Sequence, residues 1–148
     1  MYFIKVRPNR DLARVDSNMQ QFMNEVMNLT RPVLSPSSSA WMPETDMYET
    51  GDEVIMIMNL AGVRKEYIDV SFHKNYLHVE GKRIHSIPPN VPVRYHQMEI
   101  GHGKFERMFR IPATVDEEQI QASYADGLLT IRMKKEKRPR SVPVEVKM

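Results

Sequence analysis

The stretch Gly103–Met133, GKFERMFRIPATVDEEQIQASYADGLLTIRM, has the clearest secondary-structure pattern in the chain. Between Phe105 and Ile111 every second position is aromatic or aliphatic except Arg107, while charged residues and a methionine take the alternate positions. This period of two residues is typical of a β-strand with one buried face. Pro112 ends the predicted strand, because proline has no N–H to donate to a neighbouring strand.

A β-hairpin is predicted after this strand. The runs 120–124 and 129–133 alternate apolar with polar side chains, and Asp126-Gly127 lies between them. An Asp-Gly pair favours a type I′ turn, since both central residues of that turn need a positive φ. The acidic residues 116–118 are interpreted as a solvated turn ahead of the hairpin.

These spaced residues resemble the α-crystallin domain of the small heat shock proteins, of the bacterial type. The resemblance rests on two patterns, Gly103-x-Phe105-x-Arg107-x-Phe109-x-Ile111-Pro112 and Ala122-x4-Gly127-x-Leu129. It implies an all-β fold, an immunoglobulin-like antiparallel β-sandwich over residues 43–134, with an N-terminal helical arm and an extended C-terminal tail outside it.

Arg107 stands in the apolar register of its strand. A guanidinium buried there needs a carboxylate or carbonyl partner, because an unpaired buried charge is costly. The alternative is an edge-strand arginine in water, which is the usual environment of this residue. The resemblance marks Arg107 as the family's characteristic arginine and implies that it lies at a subunit interface.

Length and composition limit the possible functions. A chain of 148 residues suits one domain with terminal arms. The absence of cysteine excludes disulfides and thiolate chemistry, and it is compatible with a reducing compartment. A net charge of +2 does not favour binding to nucleic acid.

Membrane insertion and secretion are not expected. No apolar run approaches the roughly 18 residues of a membrane-spanning helix. The first residues, 1–8, place their charges after a short apolar cluster, the reverse of a secretory signal. The sequence therefore predicts a cytoplasmic protein.

Residues 1–42 are interpreted as an N-terminal arm. Within it, residues 11–29 have apolar side chains at spacings of three and four, which predicts an amphipathic helix, and the Ser/Pro-rich residues 33–40 are typical of a linker. The apolar stripe either packs on its own domain or forms an adaptable methionine-rich surface for many partners. For the second alternative the candidate client-binding residues are Met19, Phe22, Met23 and Val26.

Between residues 82 and 99 a long excursion interrupts the predicted strands. Residues 82–92 contain three prolines and cannot form a central strand. A loop of this length is usually functional or disordered. The resemblance implies that part of it forms a strand that crosses to a second subunit and makes a strand-swapped dimer; the candidate residues are Val93, Arg94, Tyr95, His96, Gln97 and Met98.

Residues 135–148 are interpreted as a C-terminal extension, a charged tether followed by a short β-prone segment. This segment is either a frayed terminus or a strand that adds to a sheet edge. The resemblance favours the second alternative and makes Val142, Pro143, Val144 and Val146 an oligomerisation tail. It also implies the receiving groove on a neighbouring dimer, between two strands that contribute Ile68, Val70, Phe72, Ile120, Ala122 and Tyr124.

The chain lacks sequence patterns for enzymatic chemistry. Its five histidines show no metal-ligand spacing and are interpreted as surface residues. The run 101–104 lacks the spacing of a phosphate-binding loop, and no nucleophile motif is present. We therefore expect no catalytic, cofactor-binding or metal-binding residues.

These patterns lead to two hypotheses of different class. The first is an ATP-independent chaperone, a holdase that binds unfolding client proteins and assembles with itself as oligomers of strand-swapped dimers. The alternative is a β-sandwich adaptor or co-chaperone that binds one folded partner. The swapped excursion and the Val-x-Val tail favour the first hypothesis.

Overall fold

The computed structural model describes residues 1–8 and 41–137. Several sequence predictions therefore lie outside the described residues: the amphipathic helix 11–29 with its candidate client-binding residues, the linker 33–40, and the tail valines. No helix among the described residues is long and apolar enough to cross a membrane.

Two sheets pack face to face and form a β-sandwich, which confirms the predicted fold class. In spatial order the first sheet contains β1 (Tyr2–Ile4), β8 (Val115–Ala125), β9 (Leu128–Lys135), β4 (Glu53–Asn59) and β3 (Thr45–Glu49). The second sheet contains β2 (Val6–Pro8), β5 (Ile68–His73), β6 (Tyr76–Arg83) and β7 (Gly103–Arg110), and a short 3-10 turn, Lys65–Tyr67, precedes β5. All pairs are antiparallel except β2 with β5.

The core lies between the sheets and is built from the alternating inward side chains of the inner strands. β4 is buried on both faces, since Val54, Ile55 and Met56 are all at most 4% exposed. Met56, Met58 and Met133 are fully buried, and their unbranched side chains suit the irregular gaps between sheets. Burial of a side chain of this size contributes roughly 1.5–3 kcal/mol to stability.

The predicted turn at Asp126-Gly127 is present, and a second two-residue turn lies at Lys74-Asn75. Asp126 and Gly127 have φ values of 52° and 79°, and Lys74 and Asn75 have values of 47° and 65°. Gly127 is also required for a second reason: a Cβ there would lie 2.8 Å from the Cα of Ala61. The hairpin turn therefore packs directly against the end of β4.

The acidic residues 116–118 differ from the sequence interpretation. They lie within β8 rather than in a turn, and the pairing register of β8 with β9 shifts between Val115 and Ile120. A β-bulge of this kind places extra residues on one strand, so the acidic side chains remain next to water while the strand continues.

Residues 2–8 also differ, because they belong to the sandwich and not to the arm in which the sequence places them. Tyr2–Ile4 adds to the edge of β8, and Val6–Pro8 adds to the edge of β5. Pairing between segments more than sixty positions apart leaves no local sequence signal.

Tyr124 connects β8 to the loop after β4. Its hydroxyl donates toward the carbonyl oxygens of Leu60 and Val63, at 2.7 and 2.8 Å. The residue is 8% exposed, and burial raises the pKa of its phenol above the usual value of 10. The folded state therefore favours the neutral phenol that donates this hydrogen bond.

We expect Tyr124→Phe to lower the free energy of unfolding by about 1–2 kcal/mol, because two buried carbonyl groups lose their shared donor. Urea denaturation at neutral pH measures this loss. Tyr48→Phe is the matched control, since Tyr48 is 50% exposed, and it should change stability by less than about 0.5 kcal/mol.

Comparison of the wild-type protein with Tyr124→Phe also tests the direction of the pKa shift of Tyr124. An acid whose pKa is raised by folding contributes stability that is lost as the pH rises through the folded-state pKa. Between about pH 8 and about pH 11 the wild-type protein should lose more stability than Tyr124→Phe. Parallel stability curves would contradict this account of Tyr124.

Candidate interaction site: an edge groove and an apolar excursion

The edge groove lies between the outer edges of β5 and β8. Ile68, Val70 and Phe72 of β5 and Ala122 and Tyr124 of β8 are buried, and Ile120 packs against the same core cluster. The structure thus brings together all six side chains that the sequence analysis assigned to a groove. They occupy alternate positions on one strand of each sheet, so their side chains contribute to the core between the two sheets.

The chain's own first residues occupy this edge groove. Ile4 pairs with Ala122 on β8 in antiparallel register, and Val6 pairs with Val70 on β5 in parallel register. Lys5 alone links the two short strands, so the edges of β8 and β5 face one opening. We call residues 2–8 the N-terminal edge segment.

The N-terminal edge segment is held by a small number of contacts. Ile4 and Val6 are partly buried against the core cluster, whereas Phe3 is 81% exposed. Full burial of an aliphatic side chain contributes roughly 1.5–3 kcal/mol, while ordering each residue costs about 1–2 kcal/mol. For seven ordered residues this cost exceeds the gain from two part-buried anchors, so the attachment depends on backbone pairing at the two edges and is weak.

Two polar contacts lie at the ends of this segment. Arg7 forms an ion pair with Asp69, and this hydrogen bond raises the pKa of the guanidinium. The ammonium group of Lys65 lies 4.1 Å from the ring centre of Tyr2. The side chain of Arg7 is 60% exposed, and exposed ion pairs contribute little because solvent screens them.

The excursion predicted over residues 82–99 spans residues 84–102 in the structure, because Lys82 and Arg83 complete β6. It contains no regular strand although the structure describes all of it. Every residue from Pro88 to Ile100 is exposed, including the six residues of the predicted dimer strand. The exposed apolar side chains are concentrated here: Ile84, Val91, Val93, Tyr95, Met98 and Ile100. The crossing strand expected over residues 93–98 is thus not formed within one chain, where it has no partner strand.

The base of the excursion is held firmly by Trp41. The guanidinium carbon of Arg83 lies 3.6 Å from the ring centre of Trp41, and its Nη1 donates to the carbonyl oxygen of Gly101 at 2.7 Å. A Cβ on Gly101 would lie 2.1 Å from the indole, so only glycine fits there. Trp41 in turn packs edge-on against Phe105, with ring centres 5.1 Å apart.

This arrangement joins both ends of the excursion to the start of the sandwich. Burial lowers the pKa of the Arg83 guanidinium. Stacking on the face of the indole offsets the water contacts that the guanidinium loses on burial, and this environment is favourable for arginine. The excursion therefore leaves the domain from a fixed base.

Arg107 lies in the inward-facing register of β7. Its Nη1 donates to the carbonyl oxygen of Pro43 at 2.6 Å, and its guanidinium carbon lies 4.8 Å from the ring centre of Phe109. The carbonyl partner is thus in the same chain, close to Trp41. A role of Arg107 at a subunit interface stays a prediction.

One cluster on the outer face of the second sheet was missed by sequence reasoning. His78, Glu80 and Glu106 are the only described residues whose ligand atoms group as a metal site requires, within 4.8 Å of one another. His78 Nε2 already lies 2.7 Å from Glu106. Because His78 is 7% exposed, the interpretation of all five histidines as surface residues is wrong for this one. The cross-strand hydrogen bond accounts for its buried ring without an ion.

Comparison with known proteins agrees with this architecture. The Hsp20/alpha crystallin family matches residues 46–147. Small heat shock protein C4 of Rickettsia felis is 29% identical over 132 residues, which cover 89% of this chain and 80% of that protein. The 17.7 kDa class II heat shock protein of Arabidopsis thaliana is 29% identical over 125 residues, covering 80% of each chain.

Solved structures show the same similarity. A small heat-shock protein from Xylella fastidiosa superimposes with a TM-score of 0.62 and 25% identity, over 73% of this chain and 98% of that one. Heat shock protein 16.0 from Schizosaccharomyces pombe has a TM-score of 0.58 and 28% identity, over 72% of this chain and 99% of that one. Since the family match spans well over half of the sequence and agrees with the sandwich, this chain belongs to the Hsp20/alpha crystallin family.

Proposed function

We propose that this protein is an ATP-independent molecular chaperone, a holdase that binds unfolding proteins and prevents their aggregation. Membership of the Hsp20/alpha crystallin family and the likeness to small heat shock proteins support a chaperone role. That family consists of chaperones, and this agrees with a chain in which no catalytic motif is recognised.

The observation that carries the proposal is the occupied edge groove. It holds an extended apolar segment by backbone pairing on two sheet edges and by two part-buried aliphatic side chains. Backbone pairing is independent of side-chain identity, so a site of this kind accepts many sequences. An unfolding protein exposes extended apolar segments, which are the ligands that such a site fits.

The predicted helix stripe is a second candidate client surface. Met19, Phe22, Met23 and Val26 lie outside the described residues, and their sequence pattern supports this role. Methionine and phenylalanine adapt to irregular apolar partners, and covering apolar area contributes roughly 25 cal/mol per Å² without defined complementarity.

The excursion supports assembly into strand-swapped dimers. Its exposed apolar residues need a cover, because a monomer rarely keeps such a continuous apolar patch in water. β3 is an edge strand of the first sheet in the described part of the chain, with a free row of backbone groups. If residues 93–98 of one subunit pair with β3 of a second subunit, the apolar residues are covered and the free edge is occupied. In a symmetric dimer each subunit both gives and receives a strand.

Larger assemblies follow if the tail of one dimer enters the edge groove of another. In an extended conformation Val142 and Val144 would lie on one face of the chain, and Val146 would continue that face. Many weak contacts of this type together hold a particle and still exchange. We further propose a cytoplasmic location, which agrees with the absence of cysteine from the chain.

The holdase proposal predicts suppressed light scattering when a heat-labile test enzyme is warmed with equimolar protein and no nucleotide. Added ATP should change nothing. Replacing Met19, Phe22, Met23 and Val26 by serine should weaken protection several-fold, whereas Gln21→Ser with Asn24→Ser, on the opposite face of the predicted helix, should not. Unchanged scattering with the wild-type protein would exclude a holdase and favour the adaptor alternative.

Tail docking predicts that Val142→Ala with Val144→Ala leaves the sandwich folded and reduces large particles toward dimers. Sizing chromatography with light scattering measures the mass. Glu145→Ala is the matched control, because its side chain lies on the other face of the extended tail. Particles of unchanged mass would remove the tail from assembly.

The strand swap predicts that His96→Pro shifts dimers toward monomers, since proline removes one pairing N–H from the crossing strand. His96 is exposed and outside regular structure in the single chain, so the fold itself should tolerate the change. His96→Ala keeps the N–H and should remain dimeric. Analytical ultracentrifugation distinguishes the two variants when each also carries Val142→Ala with Val144→Ala, which limits assembly to dimers. An unchanged dimer for His96→Pro would contradict the swap.

A further inference from the structure

We infer that the edge groove is one docking site for two segments of this sequence. The N-terminal edge segment closes it within the same chain, and the tail of a neighbouring copy enters only after that segment has left. This inference rests on the tail docking proposed above and adds a competitor that controls it.

The pairing pattern makes the two occupants mutually exclusive. β1 uses the outer edge of β8, and β2 uses the outer edge of β5. β1 takes the backbone groups of residues 122–124 in β8, and β2 takes those of residues 70–72 in β5, so a second strand cannot pair with these parts of the two edges while the first is present. The tail therefore cannot pair beside Val70, Phe72, Ala122 and Tyr124 until residues 2–8 leave.

The two segments have the same chemical pattern. Ile4-Lys5-Val6 and Val142-Pro143-Val144 each place two branched aliphatic residues around one middle residue. In the bound N-terminal edge segment the outer two pack on the core cluster, while Lys5 is exposed and belongs to neither strand pairing. A middle residue that makes no ladder pairing can be proline, which lacks the N–H, and this fits Pro143.

Charge also fits the exchange. The N-terminal edge segment brings Arg7 to Asp69 beside the groove. When Arg7 leaves, the Asp69 carboxylate loses its partner. The tether between β9 and the tail valines, residues 136–140, contains Lys137, Arg138 and Arg140 and would supply replacement cations.

The N-terminal edge segment is suited to release. Its strands contain three residues each and lie at a chain terminus, where local opening costs least free energy. Phe3 and Tyr2 remain 81% and 52% exposed while the segment is bound. Release would thus uncover the groove without disturbing the inner strands of either sheet.

The test measures binding of a labelled peptide, residues 138–148, to the full chain with a silent tail (Val142→Ala with Val144→Ala). If the groove is closed for most of the time, apparent affinity falls by the fraction that is open. Adding Ile4→Ser with Val6→Ser should then tighten peptide binding by about tenfold, as expected when an open fraction near one tenth rises toward one. Phe3→Ser, whose side chain faces water, should leave the affinity unchanged.

The possible results of this binding experiment distinguish the competition between the two segments from tail docking itself. Equal affinity for the chains with and without the Ile4 and Val6 changes would overturn the competition and leave tail docking intact. No binding to either chain would overturn tail docking itself, and the inference with it. A peptide that carries the two valine-to-alanine changes should not bind, and if it bound equally well, the aliphatic pattern would not be the recognised feature.

Discussion

Backbone groups along a sheet edge must hydrogen-bond to a partner strand or to water. In this protein that requirement decides how the edges of the sandwich are covered. The edges of β5 and β8 open on the same side of the sandwich, and the chain covers both with only seven of its own residues. The inner strands are protected by the buried side chains between the sheets. At these edges the same backbone groups are satisfied by contacts that are few and partly exposed, which is what the proposed exchange of segments requires.

The excursion presents the same constraint in another form. Its apolar side chains lie in water because the single chain offers no strand for residues 93–98 to join. A second copy has what is missing, an edge strand at β3. Apolar side chains and unpaired edges on the same molecule explain why a protein of this kind is expected to act in assemblies, and why client binding and self-assembly would use related surfaces.

Rigid parts of the structure define where these exchangeable surfaces lie. The stack of Arg83 on Trp41, with Gly101 beneath the indole, joins the two ends of the excursion. Tyr124 performs a similar role at the edge groove, where its hydroxyl connects β8 to the carbonyl groups after β4. Both contacts are buried or partly buried and specific, in contrast to the exposed ion pair of Arg7 with Asp69. Exchange at the edges therefore does not require the sandwich to loosen.

The sequence by itself determined the features that depend on neighbouring residues. Alternation along β7 predicted a half-buried strand, and Asp126-Gly127 predicted the turn after β8. The six groove residues follow from the alternation of two strands together with the family resemblance. Only the tertiary structure decided which distant segments meet. It assigned residues 2–8 to the groove, bent the acidic run into a bulge of β8, and joined Arg83, Trp41 and Gly101. The physical reason is that turns and alternation are local properties of the backbone, whereas the occupant of a sheet edge is selected by competition among all segments that can reach it.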